Sequence, residues 1–138
     1  MPELFALSAY ETSAEAFFET LKKRRADLVL DVRLRNTSQL CGFTKSRDLA
    51  YLVPEITGAQ YASDANFAPE PALLGLYIKK KIPWEDYRDR YLAQMKKAGA
   101  AERFKKTYGD FRSVCLLGTA TRARRSHAEA LLGLLKGL

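Results

Sequence analysis

The chain has 138 residues, 47% hydrophobic and 28% charged, which suits one folded domain and excludes a disordered or low-complexity polymer. Lys and Arg number 23 against 16 acids, and the net charge of +7 favours anionic partners: phosphates, nucleotides, nucleic acid or acidic proteins. Two cysteines form no disulfide framework, and with one histidine they are too few for a structural zinc site without carboxylates, so neither a metal nor a cofactor is expected.

No stretch reaches the roughly 18 apolar residues of a membrane span. The start, Met1-Pro2-Glu3-Leu4, lacks the basic and apolar regions of a signal peptide. A cytoplasmic domain without a membrane partner is the expectation, with oligomeric state left open.

In chain order, Leu4–Leu7 reads as a short strand. Thr12 and Glu15 have capping-box spacing, and the helix they open carries Ala14, Phe17, Phe18 and Leu21 on one face before ending in Lys22-Lys23-Arg24-Arg25. Leu28–Val32 is a run of branched apolar residues, the mark of a strand buried on both faces. Leu34–Lys45 has no period and reads as a long loop holding Cys41. A short helix over Arg47–Val53 stops near Pro54. Gln60–Ser63 is a third strand. Pro71 opens a helix that runs to the Lys79–Lys81 cluster, and Pro83 starts another over Trp84–Ala98.

The second of these helices places Trp84, Tyr87, Tyr91 and Met95 on one side, a face expected to pack inward. Ala101–Tyr108 is a further helical piece, Ser113–Leu117 a fourth strand, and Arg124–Leu135 a last helix. Strands alternating with helices predict a single three-layer α/β domain over residues 1–138, with a short, mainly parallel sheet of half-Rossmann type in the order 3-2-1-4.

Two stretches carry chemistry. Asp31 and Arg33, two apart in an extended chain, point the same way at the C-terminal end of their strand, where ligands bind in open α/β sheets. A structural ion pair that ends the strand is the simpler reading. Asp31 also has the chemistry of a general base, but no substrate geometry supports that role, so no catalytic residue is assigned.

The second stretch is Gly118-Thr119-Ala120-Thr121-Arg122-Ala123-Arg124-Arg125-Ser126-His127, which leaves a buried strand and opens a helix. Gly118 permits a tight turn, Thr119 and Thr121 offer hydroxyls, and the arginines add forked donors. Arginines at a helix N-terminus oppose its dipole, and a bound anion would relieve that. A solvated basic turn is the alternative. The loop lacks the Gly-Lys-Ser/Thr portion of a P-loop, and Cys115, inside the strand, is no phosphatase nucleophile. His127 reads as a packed or exposed histidine, outside any catalytic motif.

The segments Leu28–Arg33, Cys41-Gly42-Phe43-Thr44-Lys45, Leu49–Tyr61, Ala68-Pro69 and Ile82-Pro83-Trp84-Glu85-Asp86-Tyr87 with Tyr91 together resemble the family catalogued as domain of unknown function 488, in order along nearly the whole chain. The resemblance implies one α/β domain with a parallel sheet and no established activity. Many relatives carry a Cys, a Glu and then Cys-His-Arg after the last strand. Here Gly118 stands at the first Cys and Ala123-Arg124-Arg125 replaces Cys-His-Arg, so the chain resembles a divergent member, and the resemblance does not carry thiol or metal chemistry over to it.

The leading expectation is a site for a phosphorylated or otherwise anionic small molecule at the C-terminal edge of the sheet. Arg33, Gly118, Thr119, Arg124 and Arg125 would bind it, with Asp31 orienting Arg33. A nucleic-acid-binding module using the Lys79–Lys81, Lys96-Lys97 and Lys105-Lys106 clusters is the alternative, and a noncatalytic protein-interaction domain a third.

Overall fold

The computed structural model describes residues 2–137. Its elements are β1 (Glu3–Ser8), α1 (Ala14–Lys23), β2 (Leu28–Asp31), α2 (Ser46–Thr57), β3 (Gln60–Ser63), α3 (Pro71–Ile78), α4 (Trp84–Lys97), α5 (Ala100–Tyr108), β4 (Ser113–Gly118) and α6 (His127–Lys136), with 3₁₀ stretches at Gln39–Thr44 and Ala65–Phe67. No helix among the described residues is long and apolar enough to cross a membrane.

The four strands pair in parallel, as expected, but in the order β1-β4-β2-β3 rather than 3-2-1-4. Burial explains the correction. Every residue of β2 and of β4 is buried, so both need a neighbour on each side. β1 and β3, which carry Glu3, Gln60 and exposed or half-buried positions, take the edges. Polar residues are tolerated at an edge, and the most apolar strands go to the middle.

Alternation along the strands divides the core. Leu28, Leu30, Val114 and Leu116 pack with Leu73 of α3, Tyr87, Tyr91 and Met95 of α4, Phe104 of α5, and Leu131 and Leu135 of α6. Val29, Cys115 and Leu117 point the other way, onto Phe17, Phe18 and Leu21 of α1 and Leu49 and Val53 of α2. Three layers result, with α1 and α2 on one face and α3–α6 on the other. The chain after β1 and after β2 turns to the α1/α2 face, whereas the chain after β4, which lies between them, turns to the opposite face. That divergence opens a crevice at the strand ends, as at a topological switch point.

Three helix boundaries differ from expectation. Ser13, not Thr12, caps α1, its Oγ accepting from the Ala16 N–H at 3.0 Å. α2 runs through the exposed Pro54 to Thr57, because burial of Leu49 and Val53 outweighs one missing backbone bond, and Gly58 stops it at φ 76°. α6 begins only at His127. Ser126 is its N-cap, with Oγ accepting from the Ala128 N–H at 3.2 Å, so Arg124 and Arg125 precede the helix.

Candidate functional site

The loop from β4 to α6 is held at both ends and in the middle. The Ser126 hydroxyl that caps α6 also accepts from the Thr119 N–H at 3.1 Å, pulling the end of β4 against the start of the helix. This approach requires Gly118: a Cβ there would lie 2.5 Å from both the Ser126 Oγ and the Ala128 Cβ. Thr121 and Arg124 exchange backbone bonds of 2.8 and 3.3 Å, which closes a tight turn. The Ser8 hydroxyl donates to the Ala120 carbonyl, and the Arg122 N–H donates to the Glu11 carboxylate at 2.6 Å, so the loop after β1 braces the loop after β4.

Between this loop and α3 lies a cleft of about 100 Å³. Thr119, Arg124, Arg125, Ser126 and His127 form one side, and Tyr77 and Tyr87 with the aliphatic Leu74 and Ile78 form the other; Tyr10, Leu34 and Arg35 complete it. No carboxylate is among these described lining residues, and three are arginines. Arg125 pairs with Glu129 at 3.0 Å, a contact between side chains that are 65% and 36% exposed and therefore weak. Neither Arg35 nor Arg124 forms an ion pair among the described residues. Tyr77 fastens α3 to the loop, its hydroxyl donating to the Arg125 carbonyl at 2.9 Å.

Asp31 and Arg33 occupy a different setting. Both side chains are fully buried, and they form a two-point pair: Arg33 Nε donates to one carboxylate oxygen at 2.8 Å and Nη2 to the other at 2.7 Å. The Tyr61 hydroxyl donates to Asp31 at 2.6 Å, and Asn36 Nδ2 at 3.1 Å. Arg33 Nη2 also donates to the Thr44 carbonyl at 2.6 Å, which ties the 34–45 loop down. Burial works against the Arg33 charge, but hydrogen bonding and the Asp31 charge outweigh it and hold the guanidinium above its usual pKa. Burial, then the Asp31 carboxylate, push the Tyr61 phenol well up. Arg33 Nη1 is buried without a partner among the described residues.

By strand alternation Asp31 shares a face with Val29, towards α1 and α2, while the cleft lies on the α3–α6 face. The structure thus brings Thr119, Arg124 and Arg125 to one cleft, uses Gly118 to close its wall, and places Asp31 and Arg33 across the sheet from it. The expected convergence of Arg33 with Arg124 and Arg125 is corrected by this placement, and the cause is the two-residue period of β2.

His127 links the two regions. Its Nε2 donates to the Val32 carbonyl at 2.6 Å, so the chain just past Asp31 is clamped to the first residue of α6. Burial pushes its pKa down to about 4, against smaller opposing effects from the Val32 bond and Asp31. The ring is therefore neutral, leaving Nδ1 an acceptor, buried and unpartnered among the described residues. Tyr91 packs edge-on against it, with centroids 5.2 Å apart.

Of the aromatic face on α4, Tyr87 and Tyr91 are buried as expected, whereas Trp84 is half-buried at the rim beneath the Arg125 guanidinium, 5.2 Å from the ring centroid. Cys115 is buried and Cys41 partly so. Among the described residues no group of His, Cys, Asp and Glu is placed to hold a metal ion. Sequence reasoning missed Arg35 and Tyr77 as cleft residues. Tyr77 looks like one more apolar helix position, and only the strand order brings α3 beside the β4–α6 loop.

One family model, described as Domain of unknown function DUF488, matches residues 13–135. No curated protein and no solved structure matches the chain.

Proposed function

The chain belongs to that family, whose description assigns no activity, and on that premise we propose that it binds a phosphorylated or similarly anionic small molecule in the cleft between the β4–α6 loop and α3. The observation that carries this reading is the arginine content of the cleft: Arg35, Arg124 and Arg125 border it with no carboxylate among the described lining residues. Like charges gathered around a partly enclosed space repel one another, and an anion between them reverses the sign of that interaction. Guanidinium groups suit phosphate oxygens, which accept paired N–H donors. Thr119 adds a hydroxyl, and the pinned loop fixes the backbone from which Arg124 and Arg125 extend.

Nucleic acid is the second reading, supported by the net charge of +7. The lysine clusters lend it less support than the sequence suggests. Lys96-Lys97 and Lys105-Lys106 lie in the last turns of α4 and α5, where they complement the helix dipoles.

A thermal-shift series separates these readings. Inorganic phosphate, pyrophosphate and ribose 5-phosphate are compared with chloride at matched ionic strength, for the native chain and Arg124→Ala. A ligand at 100 times its Kd stabilises by about 2.7 kcal/mol, a rise of several degrees in a domain of this size. The native chain is expected to show such a rise and Arg124→Ala to lose most of it. Equal melting temperatures in phosphate and chloride would refute the anion reading.

A further inference from the structure

We infer that the ligand of this cleft is a phosphate monoester carrying a flat aromatic ring, with the chemistry of a nucleoside monophosphate. The inference rests on the anion reading above and extends it to the body of the ligand. The arginine-lined cleft, at about 100 Å³, has room for little more than a phosphate and a few waters. Next to it is a hollow of about 690 Å³, a size usual for small-molecule sites. Tyr77, Ile78 and Arg124 border both spaces, so Arg124 stands where the two join.

The hollow has the lining of a ring-stacking site. Tyr77 and Trp84 form its aromatic wall, Ile82 and Pro83 extend it, and Lys80 and Lys81 stand at its edge. The wall is packed: Tyr77 lies flat on Tyr87, with centroids 4.2 Å apart and planes 8° apart, and Trp84 is 5.9 Å from each. Rings packed in this way offer a π-face to a ligand ring at little entropic cost, and neighbouring cations add to the attraction for an anionic ligand. No carboxylate is among the described lining residues of the hollow.

A turn fixes the cationic rim. Lys80 adopts φ 60°, the left-handed region that favours glycine. The N–H groups of Lys80 and Lys81 donate to the Tyr77 and Leu76 carbonyls at 3.0 and 2.8 Å, closing α3 with a Schellman turn in which a lysine takes the glycine position. This turn holds Lys80 and Lys81 at the rim; Arg25 closes α1 with the same turn away from the hollow, so it is the position of Lys80, not its strain, that bears on the site. A free monophosphate is the favoured occupant, because the two adjoining spaces match a phosphate and a ring; Lys97, Lys105 and Lys106 border neither, while a separate groove runs from Trp84 and Arg125 past Arg88 to Lys96, which makes a nucleic-acid strand the outcome the test must exclude.

Trp84 is the only tryptophan of the chain and lines both the hollow and the groove towards Lys96, so its fluorescence reports a ligand at either and is read together with calorimetry. The test titrates the full chain with inorganic phosphate, ribose 5-phosphate, phenyl phosphate, the four common ribonucleoside monophosphates and an eight-residue oligothymidylate, reading calorimetry and Trp84 emission. At least one nucleoside monophosphate is expected to bind tenfold or more tightly than ribose 5-phosphate and to quench the emission. Trp84→Leu is expected to erase that preference in calorimetry while phosphate binding persists.

If ribose 5-phosphate binds as tightly as every aromatic phosphate and the emission stays constant, the inference falls and the anion reading stands. If nothing in the series binds, both fall. Tight binding of the oligonucleotide alone would overturn the inference in favour of a single-stranded nucleic acid. The ligand series on the native chain decides these outcomes even if Trp84→Leu fails to fold.

Discussion

At the scale of single residues, the buried Asp31–Arg33 pair has the most at stake. Removing one member of a buried ion pair leaves the other without compensation and costs about 3–5 kcal/mol. Arg33→Ala leaves Asp31 with only Tyr61, Asn36 and the Arg33 backbone N–H, and frees the Thr44 carbonyl. Urea denaturation should therefore show a loss of roughly 3 kcal/mol or more; a loss below about 1 kcal/mol, typical of an exposed pair, would mean that water reaches the pair.

His127 gives a prediction in pH. Its ring is neutral in the fold with a pKa near 4, against 6.5 ordinarily, so the unfolded chain takes up the proton first as pH falls. The stability it contributes is complete above pH 6.5 and is lost between there and pH 4, by about 3 kcal/mol at most. His127→Gln keeps an N–H donor for the Val32 carbonyl but does not titrate. Urea midpoints of the native chain and His127→Gln should converge as pH falls from 7 to 4, while parallel profiles would contradict the buried neutral ring.

At the scale of elements, the helix ends explain much of the charge that looked functional in the sequence. α1, α4 and α5 each end in a pair of lysines, where the dipole favours them. α3 differs in that its cationic end borders the hollow beside the cleft; Lys80 there also takes a strained, left-handed backbone conformation. Lys80→Gly should relieve that strain and stabilise the fold by about 1 kcal/mol, while weakening binding of a phosphate monoester severalfold.

Arg25 closes α1 with the same turn at φ 53°, at the opposite edge of the sheet. Arg25→Gly should stabilise in the same way and leave binding unchanged. Equal affinities for the two variants, measured by calorimetry, would remove Lys80 from the site. The elements themselves were legible in the sequence because their signals are local: the apolar runs of β2 and β4, Pro71 at the start of α3, Gly99 after α4. The start of α6 was not, because Ser126 becomes its cap by also meeting Thr119 across the loop.

At the scale of the whole molecule, the fold class followed from the alternation of strands and helices, but strand order is set by competition for the centre of the sheet. β4 wins that place over β1 because all of its residues are buried, while β1 begins with the exposed Glu3. From that order come the face on which each loop emerges and the residues that meet in the cleft. Arg124, Arg125 and Thr119 were legible as a group because they lie on one loop. Arg35 and Tyr77 join them only through three-dimensional packing, and Arg33 departs because it follows the face of Asp31.

The central claim is that this cleft, rather than the basic surface at large, receives the anion. The most direct measurement is a titration of the isotopically labelled chain with inorganic phosphate at constant ionic strength, followed by nuclear magnetic resonance of the backbone amides. Saturable shifts concentrated in residues 118–127, with Arg35 and Tyr77, are predicted. Shifts spread without saturation over Lys96-Lys97 and Lys105-Lys106, with 118–127 unmoved, would contradict it.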